Sequence, residues 1–454
     1  MFTCSFSKNK LYNSNFKSFA SNITHPKSLV FHHKKDMDRF HKLITRMKKP
    51  STVDGKLSCK QLFEEFDVDP GLTYLLSGSE FDFFSAKAPF EINTKQEFSS
   101  PKNAWIRLVV PFDTNESLRK SYKHLETYNL REDRLMELLD YFTGRLAYKY
   151  TNFLPSQNEV TLVTASVDKI ELFDEVSLDK PLIITSYPSY VGSTSMEIRA
   201  DISNDPNDSD EGFLGTAYFM FAARDAKNYK NKMTIPQFNF EDLVSEGGDE
   251  LKKAKLRFEL GLEKKKERIS ESKNSLFKKP PNQEESEILH NLYLNYKNYQ
   301  SGQNTIKGVH QKPIIETMID KTQLMHSQNK NVHGKVFGGY VINKALELAW
   351  ICAKIHCKYK KFKNICIDSV TFHKPVPVGS IATYKAIVVY VFMELMHVSV
   401  EVHCDMDGVS TLTTTINAIY LAEELVTEVV PTTYDCGLKY LEAKRRSEDI
   451  YSHF

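Results

Sequence analysis

The chain has 454 residues, 41% of them hydrophobic and 12% aromatic, which is more than one ordinary domain needs and enough for sizeable cores. A formal net charge of +2 gives no whole-chain reason to expect a nucleic-acid partner. The longest apolar runs, such as 386–392, fall far short of the roughly 20 residues that span a bilayer, so no membrane span is expected.

The first 35 residues hold six lysines and no acidic residue, the first carboxylate being Asp36. With their Ser, Asn and spaced phenylalanines they read as a mitochondrial transit peptide, 1–35, followed by an N-terminal extension, 36–71. The seven cysteines are odd in number, scattered and without a C-x-x-C pair, which points to a reduced compartment and no structural zinc.

A helix is expected over about 131–150, then strands over 160–170, 182–190, 194–202 and 215–224. A charge-dense segment follows, dominated by Glu and Lys and closed by Pro280-Pro281, and reads as a hydrophilic, part-helical linker, 236–300. The same order then recurs, with a helix over 339–356 and strands over 365–372, 381–392, 397–405 and 411–421. The strand stretches alternate with the period of two expected of one buried face. Spacing suggests a register as well, since Val167 to Glu197 is 30 residues and Val370 to Glu401 is 31. A helix followed by antiparallel strands, twice, predicts an α+β architecture with units at 72–235 and 301–446, and a tail at 447–454.

Ahead of the second helix runs Asn331-Val-His-Gly-Lys-Val-Phe-Gly-Gly-Tyr340. Gly338 and Gly339 allow close approach of backbone at the helix start, where first-turn N–H groups lack helical partners and can meet an oxygen gaining negative charge. In the first helix Asp140 stands four residues from both Met136 and Gly144, at the edge of the apolar face Leu135, Leu139, Phe142 and Leu146. Partial desolvation there would raise its pKa toward a useful base.

The loop at 331–340 and the Lys344-Ala-Leu-Glu-Leu-Ala-Trp350 helix resemble the tandem-hotdog mitochondrial acyl-CoA thioesterases of the type-9 group. So do Arg134-Leu-Met-Glu-Leu-Leu-Asp140, Thr164-Ala-Ser-Val-Asp-Lys-Ile170, Tyr190-Val-Gly-Ser-Thr-Ser-Met-Glu197 and Phe372-His-Lys-Pro-Val-Pro-Val-Gly379, in order. The resemblance implies two hotdog domains, each an antiparallel sheet wrapped around a central helix, and hydrolysis of acyl-CoA to free acid and CoA without metal or organic cofactor. It also implies a matrix location and association into trimers of double-hotdog chains.

In such enzymes one unit supplies a polar residue on the loop before its helix and the amides of the helix start, while the other supplies an acid from mid-helix. Setting Arg134 opposite Tyr340 puts Asp140 at the acid position, where the second helix has Leu346, and sets Leu125 opposite Asn331. One composite catalytic site is therefore implied, with Asp140 and Asn331 as its poles and Gly338 and Gly339 as amide donors. His333, Gly192 and Lys374 are candidates for binding substrate, and Glu347 is read as supporting the fold. A Ser-His-Asp hydrolase is excluded by the lack of G-x-S-x-G. A hotdog hydratase is disfavoured because Arg145 stands where such enzymes place a His after the acid. The alternative function is a non-catalytic hotdog subunit that binds acyl-CoA or serves structure.

Overall fold

The computed structural model describes residues 73–75, 104–124, 129–151, 160–172, 176–205, 212–238, 248–301, 311–331, 334–406 and 408–453. The expected transit peptide and the extension at 36–71 lie outside them. In chain order the elements are β1 (Thr73–Leu75), β2 (Ile106–Val110), α1 (Glu116–Tyr122), α2 (Glu132–Thr151), β3 (Val160–Leu172), β4 (Leu182–Val191), β5 (Ser195–Ser203) and β6 (Phe213–Asp225). Next come α3 (Gly248–Asn274), α4 (Gln283–Gln300), β7 (Gln311–Pro313), β8 (Ile319–Leu324) and α5 (Gly338–His356). The chain closes with β9 (Phe362–Phe372), β10 (Ile381–Phe392), β11 (Leu395–Met406), β12 (Val409–Ala422), β13 (Glu428–Val430) and α6 (Tyr434–His453).

Among the described residues eleven strands form one sheet in the order β1-β2-β4-β5-β6-β3-β9-β12-β11-β10-β8. The order is a palindrome of units about the β3–β9 pair, where Ser166 faces Thr371 and Ile170 faces Ile367 across antiparallel strands. Each half wraps one apolar helix: α2 buries Leu135, Leu139, Phe142 and Leu146, and α5 buries Val341, Ile342, Ala345, Ala349 and Ala353. The fold is therefore α+β, a double hotdog.

Bulges set the repeat register. Pairing slips at Ala165 in β3 and at Ile365 in β9, and again at Ser189 in β4 and Val389 in β10. Val167 is thus the counterpart of Ile367, and Glu197 the counterpart of His397. Val370, which equal spacing would set as the counterpart of Val167, is instead its direct partner across the β3–β9 seam.

The segment read as a hydrophilic linker is instead a structural layer. Asp168, beside the inward-facing Val167, turns to the opposite face of the sheet, as alternate strand residues must. There Arg268 of α3 pairs with Asp168 and with the fully buried Glu197. Gly261 is required on the same helix, because a Cβ would lie 2.5 Å from the Ser189 carbonyl oxygen. Phe258 stacks on Tyr190 at 5.3 Å between ring centroids. On the second unit α6 takes this place, with Tyr440 against Tyr390 and Arg446 paired to Asp368 at 3.3 Å.

Candidate active site

The helices α2 and α5 cross at the centre of the double unit. A Cβ on Gly339 would lie 3.1 Å from the Glu137 Cα and 2.6 Å from the Phe337 ring, so only glycine permits this approach. Nearby, Asn343 Nδ2 donates to Glu137 Oε2 and to Asp133 Oδ2, both at 3.2 Å. These contacts fix the helix register: Glu137 is the counterpart of Asn343, and Asp140 of Leu346. The offset inferred from Arg134 and Tyr340 is therefore the one the packing adopts.

Asp140 is 2% exposed. Its Oδ1 accepts the Thr164 hydroxyl of β3 at 2.8 Å, and its carboxylate also accepts the backbone N–H of Gly339 from the other unit. A Cβ on Gly338 would lie 3.1 Å from Asp140 Oδ2 and 3.2 Å from the Phe372 ring. One seam thus gathers Asp140 and Thr164 from the first unit with Gly338, Gly339 and Phe372 from the second. Burial pushes the Asp140 carboxyl up to about 6, against the pull of the hydrogen bonds from Thr164 and Gly339 and with the negative charge of Glu137 adding to the rise. A carboxylate so poised is ionised at neutral pH yet basic enough to accept a proton.

The Gly339 N–H donates to the Asp140 carboxylate, so the start of α5 holds the acid in place. Thr164 is the partner that sequence reasoning missed as a site residue. It stood inside a family-like word, but nothing in linear spacing says that a strand hydroxyl 24 residues on reaches a helix carboxylate.

The other predicted residues fall as follows. Asn331 lies in the loop that leads into α5, and its Oδ1 accepts the Lys335 N–H at 3.1 Å, closing that loop. His333 lies outside the described residues. Gly192 forms the β4–β5 turn, donating to Ser195 O at 2.8 Å and packing on the Tyr190 ring under α3. Lys374 is exposed just beyond β9, two residues after Phe372. Glu347 pairs with Lys321 at 3.2 Å and Lys344 at 3.4 Å; burial raises its carboxyl, but the two lysines outweigh that and hold it below the ordinary value.

At the pseudo-equivalent seam other residues stand in these places. Leu346 stands for Asp140, and Asn364, the partner of Tyr420 in the same bulge, stands for Thr164. Glu132 and Asp133 replace the two helix-start glycines, with Arg131 bound to Asp133 through a 3.1 Å hydrogen bond and an ion pair. Trp350, the counterpart of Gly144, packs there against His124 at 5.1 Å and Phe362 at 5.6 Å.

The thioesterase superfamily model matches the chain twice, over residues 134–210 and 333–411. Mouse acyl-coenzyme A thioesterase 9, mitochondrial, is 28% identical over 359 residues, covering 77% of this chain and 78% of that protein. The human protein of the same name is 26% identical over 352 residues, covering 76% and 77%. Among solved structures, an acyl-CoA hydrolase from Staphylococcus aureus in complex with butyryl-coenzyme A and coenzyme A is 26% identical, covering 32% of this chain and 92% of that one at a TM-score of 0.30. The chain thus carries two thioesterase-superfamily hotdog domains in tandem, and the mitochondrial acyl-CoA thioesterases 9 and 10 are its homologues.

Proposed function

We propose that the chain hydrolyses acyl-CoA thioesters at the single composite seam built around Asp140. The observation that carries this reading is the buried carboxylate pinned between Thr164 and the Gly339 N–H at the start of a helix from the other unit. Asp140 takes a proton from water, whose oxygen forms a bond to the thioester carbonyl carbon. The tetrahedral intermediate then collapses with cleavage of the C–S bond, and the thiolate leaves with the proton as CoA-SH.

The Gly338 N–H is the backbone donor we assign to the developing oxyanion, since Gly339 is committed to the base. Asn331, anchored through Oδ1, is assigned to polarise the thioester oxygen with its Nδ2. Lys374, exposed beside Phe372, is assigned to the CoA arm together with His333 and with Gly192 in the β4–β5 turn. No metal or organic cofactor enters this scheme.

Homologues named as mitochondrial, together with the basic leader 1–35, support a mitochondrial protein, and we place it in the matrix. Among the described residues no helix is long and apolar enough to cross a membrane. We take 72–235 and 301–446 as the two hotdog domains. We further propose a homo-oligomer, a trimer of double units. Supporting it is the outer edge strand β8, where the cross-strand pair Leu324 and Ile381 is 47% and 49% exposed beside Met318 at 43%.

Release of thiol from acetyl-, octanoyl- and palmitoyl-CoA tests the activity, with Asp140→Ala as control. Hydrolysis that falls by about 100-fold or more in the variant is expected of a lost general base. No hydrolysis of any of the three by the folded full chain would leave only a binding or structural role.

A further inference from the structure

Glycines inside helices weaken them relative to alanine, so each one needs a reason. For Gly261, Gly339 and Gly437 the reason is contact: an added Cβ would come within 2.5, 2.6 and 2.7 Å of a neighbouring atom. Gly338 is held close to Asp140 Oδ2, 3.1 Å from its would-be Cβ. Gly144 has no such demand. A Cβ there would meet only the Phe221 ring, at 3.7 and 3.9 Å, which is ordinary van der Waals contact.

Gly144 lies one turn beyond Asp140 on the same face of α2. The sheet continues this neighbourhood, because Thr164, the partner of Asp140, is paired directly with Phe221 across β3 and β6. Carboxylate on hydroxyl and glycine on phenylalanine are therefore adjacent couples. At the pseudo-equivalent seam the same place is filled: Trp350 packs on Phe362, which in turn meets Tyr420, the counterpart of Phe221, at 5.4 Å. A large aromatic side chain in one seam is matched by no side chain in the other, and the vacant position flanks the carboxylate.

From this juxtaposition we infer that Gly144 is a specificity-determining residue: the acyl chain passes over Gly144 and alongside the Phe221 ring that it packs on, with the thioester carbon at Asp140. The inference rests on the reading of that seam as the acyl-CoA hydrolase site. A wall made of a glycine and an apolar ring suits the methylene chain of a fatty acyl group and gives nothing to a polar or charged one. Acyl groups of medium and long chain length are the substrate class, because an acetyl group ends before reaching Gly144 and does not depend on it.

The experiment is kcat/KM for acetyl-, octanoyl- and palmitoyl-CoA on the full chain carrying Gly144→Ala or Gly144→Leu. Gly144→Leu is expected to lower octanoyl- and palmitoyl-CoA hydrolysis by about tenfold or more, in line with the selectivity that a few methylenes command in an apolar pocket, while acetyl-CoA stays within about twofold. Gly144→Ala, which strengthens the helix and meets Phe221 at an ordinary distance, keeps the fold and gives a smaller loss of the same order among substrates. Equal losses on all three substrates in the alanine variant, no loss in either variant, or a wild type that accepts acetyl-CoA alone would each overturn the assignment. The underlying hydrolase reading stands or falls separately, on whether the wild type cleaves any of the three.

Discussion

Asp140 and Leu346 occupy equivalent places on the two central helices, seven residues beyond Asp133 and Gly339 respectively, and only one of them can exchange a proton. The difference is matched on the facing helix. Opposite Asp140 stand Gly338 and Gly339, which let a carboxylate approach the positive end of α5, whereas the counterparts opposite Leu346 are the carboxylates Glu132 and Asp133. Acid and amide donors have thus been sorted onto opposite halves of a duplicated plan, and each half is incomplete without the other.

Replacing Asp140 by asparagine should remove activity and add stability. The residue keeps its volume and an oxygen for Thr164, so the fold survives while the proton acceptor is lost; hydrolysis should fall by about 100-fold or more. The Asp140 pKa is raised on folding, so its ionisation favours the unfolded chain. The favourable contribution is complete below the ordinary Asp value of 3.8 and is lost as pH rises through about 6. At pH 7.5 the asparagine variant escapes that cost, which two pKa units set at ~3 kcal/mol at most. Denaturant unfolding at pH 7.5 and at pH 3.5 checks this, with the gain confined to the higher pH.

The pH profile follows from the same group. The kcat/KM of the wild type should rise with pH through about 6 and then level off, as the base ionises. The Thr164 hydroxyl donates to the ionised form, so Thr164→Val should move this limb upward by roughly one unit, the scale of a hydrogen bond to a charged group. A profile that keeps its midpoint in Thr164→Val would show that Asp140 is not the group being titrated.

Much of this site was legible in the sequence because it is carried by local pattern. Helix and strand periods put α2, α5 and eight strands within a few residues of their observed places, and the family resemblance, through one offset between helices, paired Asp140 with the glycines at 338–339. What escaped was contact without local signature. Thr164 reaches Asp140 only through tertiary packing, and the short strand β2 and the edge strand β8 were passed over even though β8 alternates cleanly between half-buried and exposed positions. The charged segment misled most. Its lysines and glutamates suggested solvation, yet Phe258, Gly261 and Arg268 of α3 are placed one face apart at three- and seven-residue steps against β4, β5 and β3.

That packing gives a stability prediction. Arg268 neutralises Glu197, which is fully buried, and Asp168. Arg268→Ala strands a buried carboxylate and should destabilise by ~3–5 kcal/mol. Removing charge and partner together, in Arg268→Met with Glu197→Gln, should cost clearly less, because no unpaired ion remains. Urea midpoints of the two variants measure the difference; equal losses would mean that α3 is held by its apolar contacts alone.

The vestigial seam should resist revival by a single change. In an Asp140→Asn background, Leu346→Asp restores an acid at the equivalent position, but the group would face Glu132 and Asp133 where Asp140 faces glycines, and Asn364 where Asp140 has a hydroxyl. Like charges at the helix start disfavour ionisation and repel the negative charge that develops in the reaction. Activity is therefore expected to stay at the level of Asp140→Asn, as read by thiol release from octanoyl-CoA. Leu346 is buried, so the new carboxyl should also lower the urea midpoint at pH 7.5 more than at pH 5, where it is protonated. Recovery of even a tenth of wild-type activity would mean that the acid alone distinguishes the seams, and that the glycine pair at 338–339 and Thr164 contribute little.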